Sequence, residues 1–290
     1  MIDPKLLKKV RHLEIKTRHI IQNSLAGSYH SMFKGQGINF ANVRTYTHGD
    51  DYRRIDWNVS ARSTETQVKE FEEERDLTVM ILVDISASQN FGTQDCIKRD
   101  AAAEIAATCG FSALSNNDRV GVMLFSDHIE SYIPPKKGKK HMYRCLRDVF
   151  SINATQQKTN LSLALEQTTK LLAKRSVVFI ISDFQDDHYE KALLMASKRH
   201  HIIPIVVEDP SENKLPQIGF LELEDPETGQ RLILNSSDPQ TQEKFTSIQT
   251  IIKSKHQRAF RKAGLHPIHI PLDRPIIDPI ITYFKTLDKK

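Results

Sequence analysis

Four stretches of the chain are apolar without interruption over the length of a strand: LTVMILVD (77–84), RVGVMLFSD (119–127), SVVFIISD (176–183) and IIPIVVED (202–209). Consecutive rather than alternating apolar positions, rich in Val and Ile, suit strands covered on both faces, as in a parallel sheet. Between them the periodicity becomes helical: an alanine-rich segment over 95–115, HMYRCLRDVFS after a basic loop, NLSLALEQTTKLLAKR, and YEKALLMASKRH. Strands alternating with helices of 10 to 20 residues predict an α/β fold built on a doubly wound, mainly parallel sheet.

The flanks read differently. Over residues 4–22, Leu6, Val10, Leu13, Thr17 and Ile20 recur at helical spacing and predict an amphipathic helix. From Ser24 to Glu74 glycines punctuate a stretch with scattered aromatic residues, which predicts irregular chain with short strands. GFLELEDPETGQRLILN (219–235) has two alternating halves around a DPETGQ turn, the pattern of a β-hairpin inserted at about 218–235. A long helix over 239–263, a strand LHPIHIPLD (265–273) and a C-terminal helix close the chain. The organisation expected is an N-terminal extension, 1–76, followed by an α/β domain, 77–290.

Composition narrows the classes. With 290 residues, 39% of them hydrophobic, the chain can bury a sizeable core. No apolar run approaches the roughly 20 residues of a membrane helix, and the N-terminus has no signal-peptide core, so a cytoplasmic protein without a membrane span is expected. Cys96, Cys109 and Cys145 lack CxxC spacing and read as reduced thiols, not as a disulfide or zinc framework. A surplus of 41 Lys and Arg over 36 Asp and Glu is mild, and its two clusters, 8–19 and 136–140, are short. They read as solvated surface, and no nucleic-acid partner is expected.

The candidate chemistry sits at strand ends, where ligands bind in open parallel sheets. In LVDISASQNFG, Asp84 ends a strand and Ser86 and Ser88 follow at two-residue spacing; Asp183 ends a second strand; Thr159 precedes a helix that can reach the same edge. Two carboxylates and three hydroxyls form a set of hard oxygen donors of the kind Mg²⁺ takes, with Mn²⁺ its equivalent. On spacing alone the serines read equally as turn or helix caps. A second alternative makes Asp84 the nucleophile of a Mg²⁺-dependent phosphatase or phosphotransferase. Such chemistry needs an acid two residues on, and position 86 is Ser. Walker A and G-x-S-x-G sequences are absent, and Gly35-Gln36-Gly37 lacks the third glycine and preceding strand of a dinucleotide site.

DISAS, TNLSLAL and the strand ending in SD resemble the three loops of the metal-ion-dependent adhesion site (MIDAS) of von Willebrand factor A domains, and the order of elements over 77–209 is similar to that fold. The resemblance implies that Ser86 and Ser88 ligate a metal directly, Thr159 directly or through water, and Asp84 and Asp183 mainly through water. Two positions depart from the pattern: Gln157-Lys158 stand where glycines often precede the threonine, and Phe184 where a glycine often follows the last aspartate. FKGQGINFANVRTYTHGDDYRRIDWNVSAR with VKEFEEERDLTVMILVD resembles the bacterial family called domain of unknown function 58. That resemblance implies a MoxR-type AAA+ ATPase as partner. Within the signature, Asp50, Asp51, Arg53, Arg54, Asp56 and Arg62 read either as an ion-pair network or as a partner-binding face. As a structural segment it predicts that Trp57→Ala costs about 3 kcal/mol through lost packing. The function expected is that of a non-enzymatic, divalent-metal-dependent protein-interaction module.

Overall fold

The computed structural model describes residues 10–11, 13–15, 39–63, 65–72, 77–92, 97–152, 154, 158–213, 215–224 and 229–287. The chain forms two compact units, one spanning 33–77 and one comprising the rest.

The smaller unit pairs β1 (Asn39–Thr45) antiparallel with β2 (Gln67–Glu72). Three aspartates of its charged signature are engaged locally. Arg44 holds Asp50 through two 2.7 Å bonds and keeps that carboxyl well below the usual range. Asp51 accepts from the Arg53 N–H, and Asp56 caps the turn Trp57–Ser60 through the N–H groups of Asn58 and Val59. The expectation that Trp57 packs is not met: its side chain is 69% exposed. The aspartates around it serve as caps, so charge density here marks tight turns and not a covered tryptophan.

The larger unit is built on a six-stranded sheet. Its strands are β3 (Thr78–Asp84), β4 (Arg119–Phe125), β5 (Ile129–Lys136), β6 (Val177–Ser182), β7 (His201–Glu208) and β10 (Ile268–Pro271), and they lie in the order β10-β7-β6-β3-β4-β5. Every pairing is parallel except β4 with β5. The apolar runs explain the central positions: every residue of β6, and all of β3 after Thr78, is buried. Burial on both faces requires helices on both, and these are α1 (Lys98–Ser115), α2 (Lys139–Ser151), α3 (Leu161–Leu171), α4 (Glu190–Arg199), α5 (Pro239–Lys262) and α6 (Ile277–Leu287). α1 is buried nearly throughout, which its alanines permit. A Cβ at Gly110 would overlap the end of the Met142 side chain of α2, so the glycine leaves room for that methionine between the two helices.

β5 corrects one expectation. Its two prolines and flanking lysines read as a basic loop, yet 129–136 is the antiparallel edge strand. Proline is tolerated on an edge because the missing N–H costs no ladder bond on the solvent side. The register shifts between Val120 and Val122, beside Gly121, where an added Cβ would lie 2.8 Å from the Ile133 carbonyl oxygen.

The hairpin stands apart as a two-stranded sheet of β8 (Phe220–Glu224) and β9 (Arg231–Asn235). Asp238 begins α5 by accepting from the Thr241 N–H at 3.0 Å. The expected N-terminal helix is described only at 10–11 and 13–15; these are helical, with Val10 and Leu13 buried and Glu14 bonded to Tyr143 and Lys139. Cys109 and Cys145 are free and buried, and burial pushes both thiols up to about 12; Cys96 lies outside the described residues. Among the described residues no helix is long and apolar enough to cross a membrane.

Candidate functional site

β3 and β6 are adjacent parallel strands, and the chain winds to opposite sides of them, so the sheet reverses its connection order there. A crevice opens at such a switch point, beyond the carboxyl ends of the strands. Asp84 is the last residue of β3, and Asp183 follows β6 directly.

The register sets the first contact. Val83 lies opposite Ile181, which puts Asp84 beside Ser182. The Ser182 hydroxyl donates to Asp84 Oδ2 at 2.6 Å while accepting from the Phe184 N–H at 2.9 Å. The other oxygen, Oδ1, accepts from the Ser86 N–H at 3.0 Å. Asp84 is completely buried, and that burial, with Asp183 adding like-charge repulsion, pushes its carboxyl up to about 7.

Ser86 stands at the N-cap of the short 3₁₀ turn Ala87–Asn90, yet its side chain makes no capping bond. The hydroxyl is turned to Ser88 instead, Oγ to Oγ 3.2 Å. For Ser86 this removes the capping alternative. Gln89, fully buried, places Nε2 3.5 Å from Ser88 Oγ, and its Oε1 is buried with no hydrogen-bond partner. A buried carbonyl oxygen without a partner, on the residue next to the Ser86–Ser88 hydroxyl pair, leaves room for a donor or a hard cation to meet it. The donor set therefore fits a divalent ion of the Mg²⁺ or Mn²⁺ class. Ser88 and Asp183 form its rim, being 6% and 7% exposed where Asp84 and Ser86 are sealed.

Thr159 lies in the segment that leads into α3. The Asn160 N–H donates to the Ser126 carbonyl just past β4, at 2.8 Å, and Phe125 of β4 is in register with Asp84. The segment is fixed further by Asn160 Oδ1 accepting from the Leu163 N–H and by Asp186 accepting from the Leu161 N–H. Thr159 is thus held at the same edge of the sheet as the other four residues, half-buried.

Phe184 occupies the position where a glycine is frequent, and the reason for the glycine is visible: φ is +58°. A left-handed conformation costs a non-glycine residue about 1 kcal/mol. Phe184 offsets that by full burial, edge-to-face on Phe260 at 5.0 Å and tilted against Tyr189 at 5.8 Å. The left-handed turn is thereby anchored in the core.

Three members of the site escaped the sequence reading. Ser182 had a signal, a serine one residue before the strand-end aspartate. Lys98, fully buried, reaches Asp183 Oδ2 at 2.9 Å and Glu212 Oε1 at 2.5 Å. Burial disfavours its ammonium, but Asp183 and Glu212 outweigh that and hold the ammonium above its ordinary range. Glu212 lies in the turn Pro210–Asn213, 114 residues from Lys98, and no spacing links them. Beyond Asp183 and Glu212 a cleft of about 340 Å³ continues along Gln185, Asp209 and His256.

A doubly wound sheet of this strand order, with one antiparallel edge strand and its polar cluster at the switch point, is a von Willebrand factor A-type fold. Its family follows from the sequence: the model described as protein of unknown function DUF58 matches residues 42–255, and the chain belongs to that family. Uncharacterized protein Rv1480 of Mycobacterium tuberculosis is 29% identical over 285 residues, covering 97% of this chain and 89% of the relative. Among solved structures, conserved hypothetical protein BatB from Bacteroides thetaiotaomicron is 16% identical with a TM-score of 0.46, over 74% of this chain and 100% of its own. The SpRpn10 VWA domain is 13% identical with a TM-score of 0.40, over 70% of this chain and 93% of its own.

Proposed function

We propose that this protein is a non-enzymatic protein-interaction module whose binding depends on Mg²⁺ or Mn²⁺ held at the Asp84 edge of the sheet. Ser86, Ser88 and Thr159 would supply neutral oxygens, and Asp84 and Asp183 the charge. A cation so held keeps Lewis acidity toward one more oxygen ligand, which a partner carboxylate can provide. The partner class suggested by the family resemblance is a MoxR-type AAA+ ATPase.

The observation that carries the reading is the Ser86–Ser88 hydroxyl pair, in which Ser86 caps nothing, held next to the buried Asp84 carboxylate and followed by the unmatched Gln89 Oε1. The alternative, Asp84 as the nucleophile of a Mg²⁺-dependent phosphatase or phosphotransferase, is disfavoured by the same geometry. Both Asp84 oxygens are engaged, the residue is inaccessible, and position 86 offers a hydroxyl where an acid is needed. The test is Mn²⁺ calorimetry on the wild type and on a Ser86→Ala, Ser88→Ala double variant, followed by co-purification with a MoxR-type ATPase with and without chelator. Binding heat should vanish in the double variant, and recovery should fall with chelator and with Asp84→Ala. Equal heats, or equal recovery throughout, would overturn the proposal.

A further inference from the structure

We propose that Lys98 is a built-in competitor of the divalent cation, which lowers the metal affinity of the site by occupying Asp183. The inference rests on the metal-site reading above and concerns what sets the strength of that site. Lys98 is the first residue of α1, where the helix dipole presents its positive end and an ammonium is unfavourable. Ile97, its N-cap, gives no side-chain bond at that end, where Asp100 in the first turn supplies the complementary charge. The side chain is moreover completely buried, which penalises the charge again. An apolar residue here would avoid both costs but would leave the Asp183 and Glu212 carboxylates without their cation, so the ammonium is kept for those two groups.

The ammonium instead serves the polar cluster. It joins Asp183, a candidate ligand, to Glu212, so that two carboxylates share one positive charge. A divalent ion approaching Asp183 meets that charge at close range in a poorly screened site, and like charge opposes its entry. Lys98 can yield without leaving, because Glu212 remains as an anchor at 2.5 Å. The site is then weak for metal by construction and gains from any further anion brought by a partner.

Calorimetric titration with Mn²⁺ of the wild type, Lys98→Met, Lys98→Gln and Lys98→Arg tests this. Lys98→Met should bind Mn²⁺ about tenfold tighter or better, Lys98→Arg close to the wild type. Lys98→Gln retains donors for both carboxylates without the charge, and carries the comparison if the Met variant does not fold; it too should tighten. If Lys98 merely positions Asp183, the neutral variants bind more weakly, and that outcome or an unchanged affinity overturns the proposal. A readout without substitution is the Lys98 ammonium ¹⁵N resonance: it should shift on adding Mg²⁺ as the group moves toward Glu212, and an unmoved resonance in metal-saturated protein overturns it as well. Failure of the wild type to bind Mn²⁺ at all would instead remove the metal site itself, and the competitor with it.

Discussion

Replacing Asp84 by Asn changes one proton-binding group at the centre of the site while keeping its shape. In the metal-free protein the Asp84 carboxyl is pushed up from 3.8 to about 7. The folded state therefore holds a proton that the unfolded chain has already released, and metal-free stability falls as pH rises through that window, from about 4 to about 7. Below the window both states are protonated; above it both are ionised, and the loss is complete. Three units at about 1.4 kcal/mol each bound the effect at roughly 4 kcal/mol. The Asp84→Asn variant has nothing to titrate at this position, but its amide N–H₂ faces the Ser182 hydroxyl that now donates to Oδ2, which costs about 1 kcal/mol. Urea unfolding followed by circular dichroism, in chelator, should show the wild type losing stability between about pH 4 and about pH 7 and Asp84→Asn losing much less, ending about 1 to 3 kcal/mol above it. Mg²⁺ should then stabilise the wild type and leave the variant unchanged. Parallel pH profiles for the two proteins would refute the reasoning, because Asp84 would then carry no strained charge.

Phe184→Gly should destabilise by about 2 to 4 kcal/mol in denaturant titration, the lost ring outweighing about 1 kcal/mol of relieved left-handed strain; a stabilised variant would show that the loop, not the core, decides this position. Trp57→Ala should leave stability within about 0.5 kcal/mol, since the side chain is 69% exposed. A loss above about 2 kcal/mol in the same titration would show that Trp57 is covered in solution.

Hydrophobic patterning was enough to place the central strands of the sheet and the residues at their ends. Continuous apolar runs over β3, β6 and β7 are unambiguous because no exposed element tolerates them, and each run ends in an acidic residue, so Asp84 and Asp183 were legible as strand-end residues. β5 was not legible: two prolines suit a loop as well as an edge strand, and only the unpaired flank of β4 decides between them. Trp57 was misread for a related reason, because a tryptophan among charges has the same composition whether it is covered or bare. Tertiary structure alone decided which donors face which acceptors. Register placed Ser182 against Asp84, the turn after β7 carried Glu212 to Lys98, and the local path turned Ser86 from a cap into a partner of Ser88. Periodicity reports how much of each element is buried, and burial is a property of one segment at a time. A hydrogen bond or an ion pair belongs to two segments, and its partner is fixed only when the sheet has set their separation.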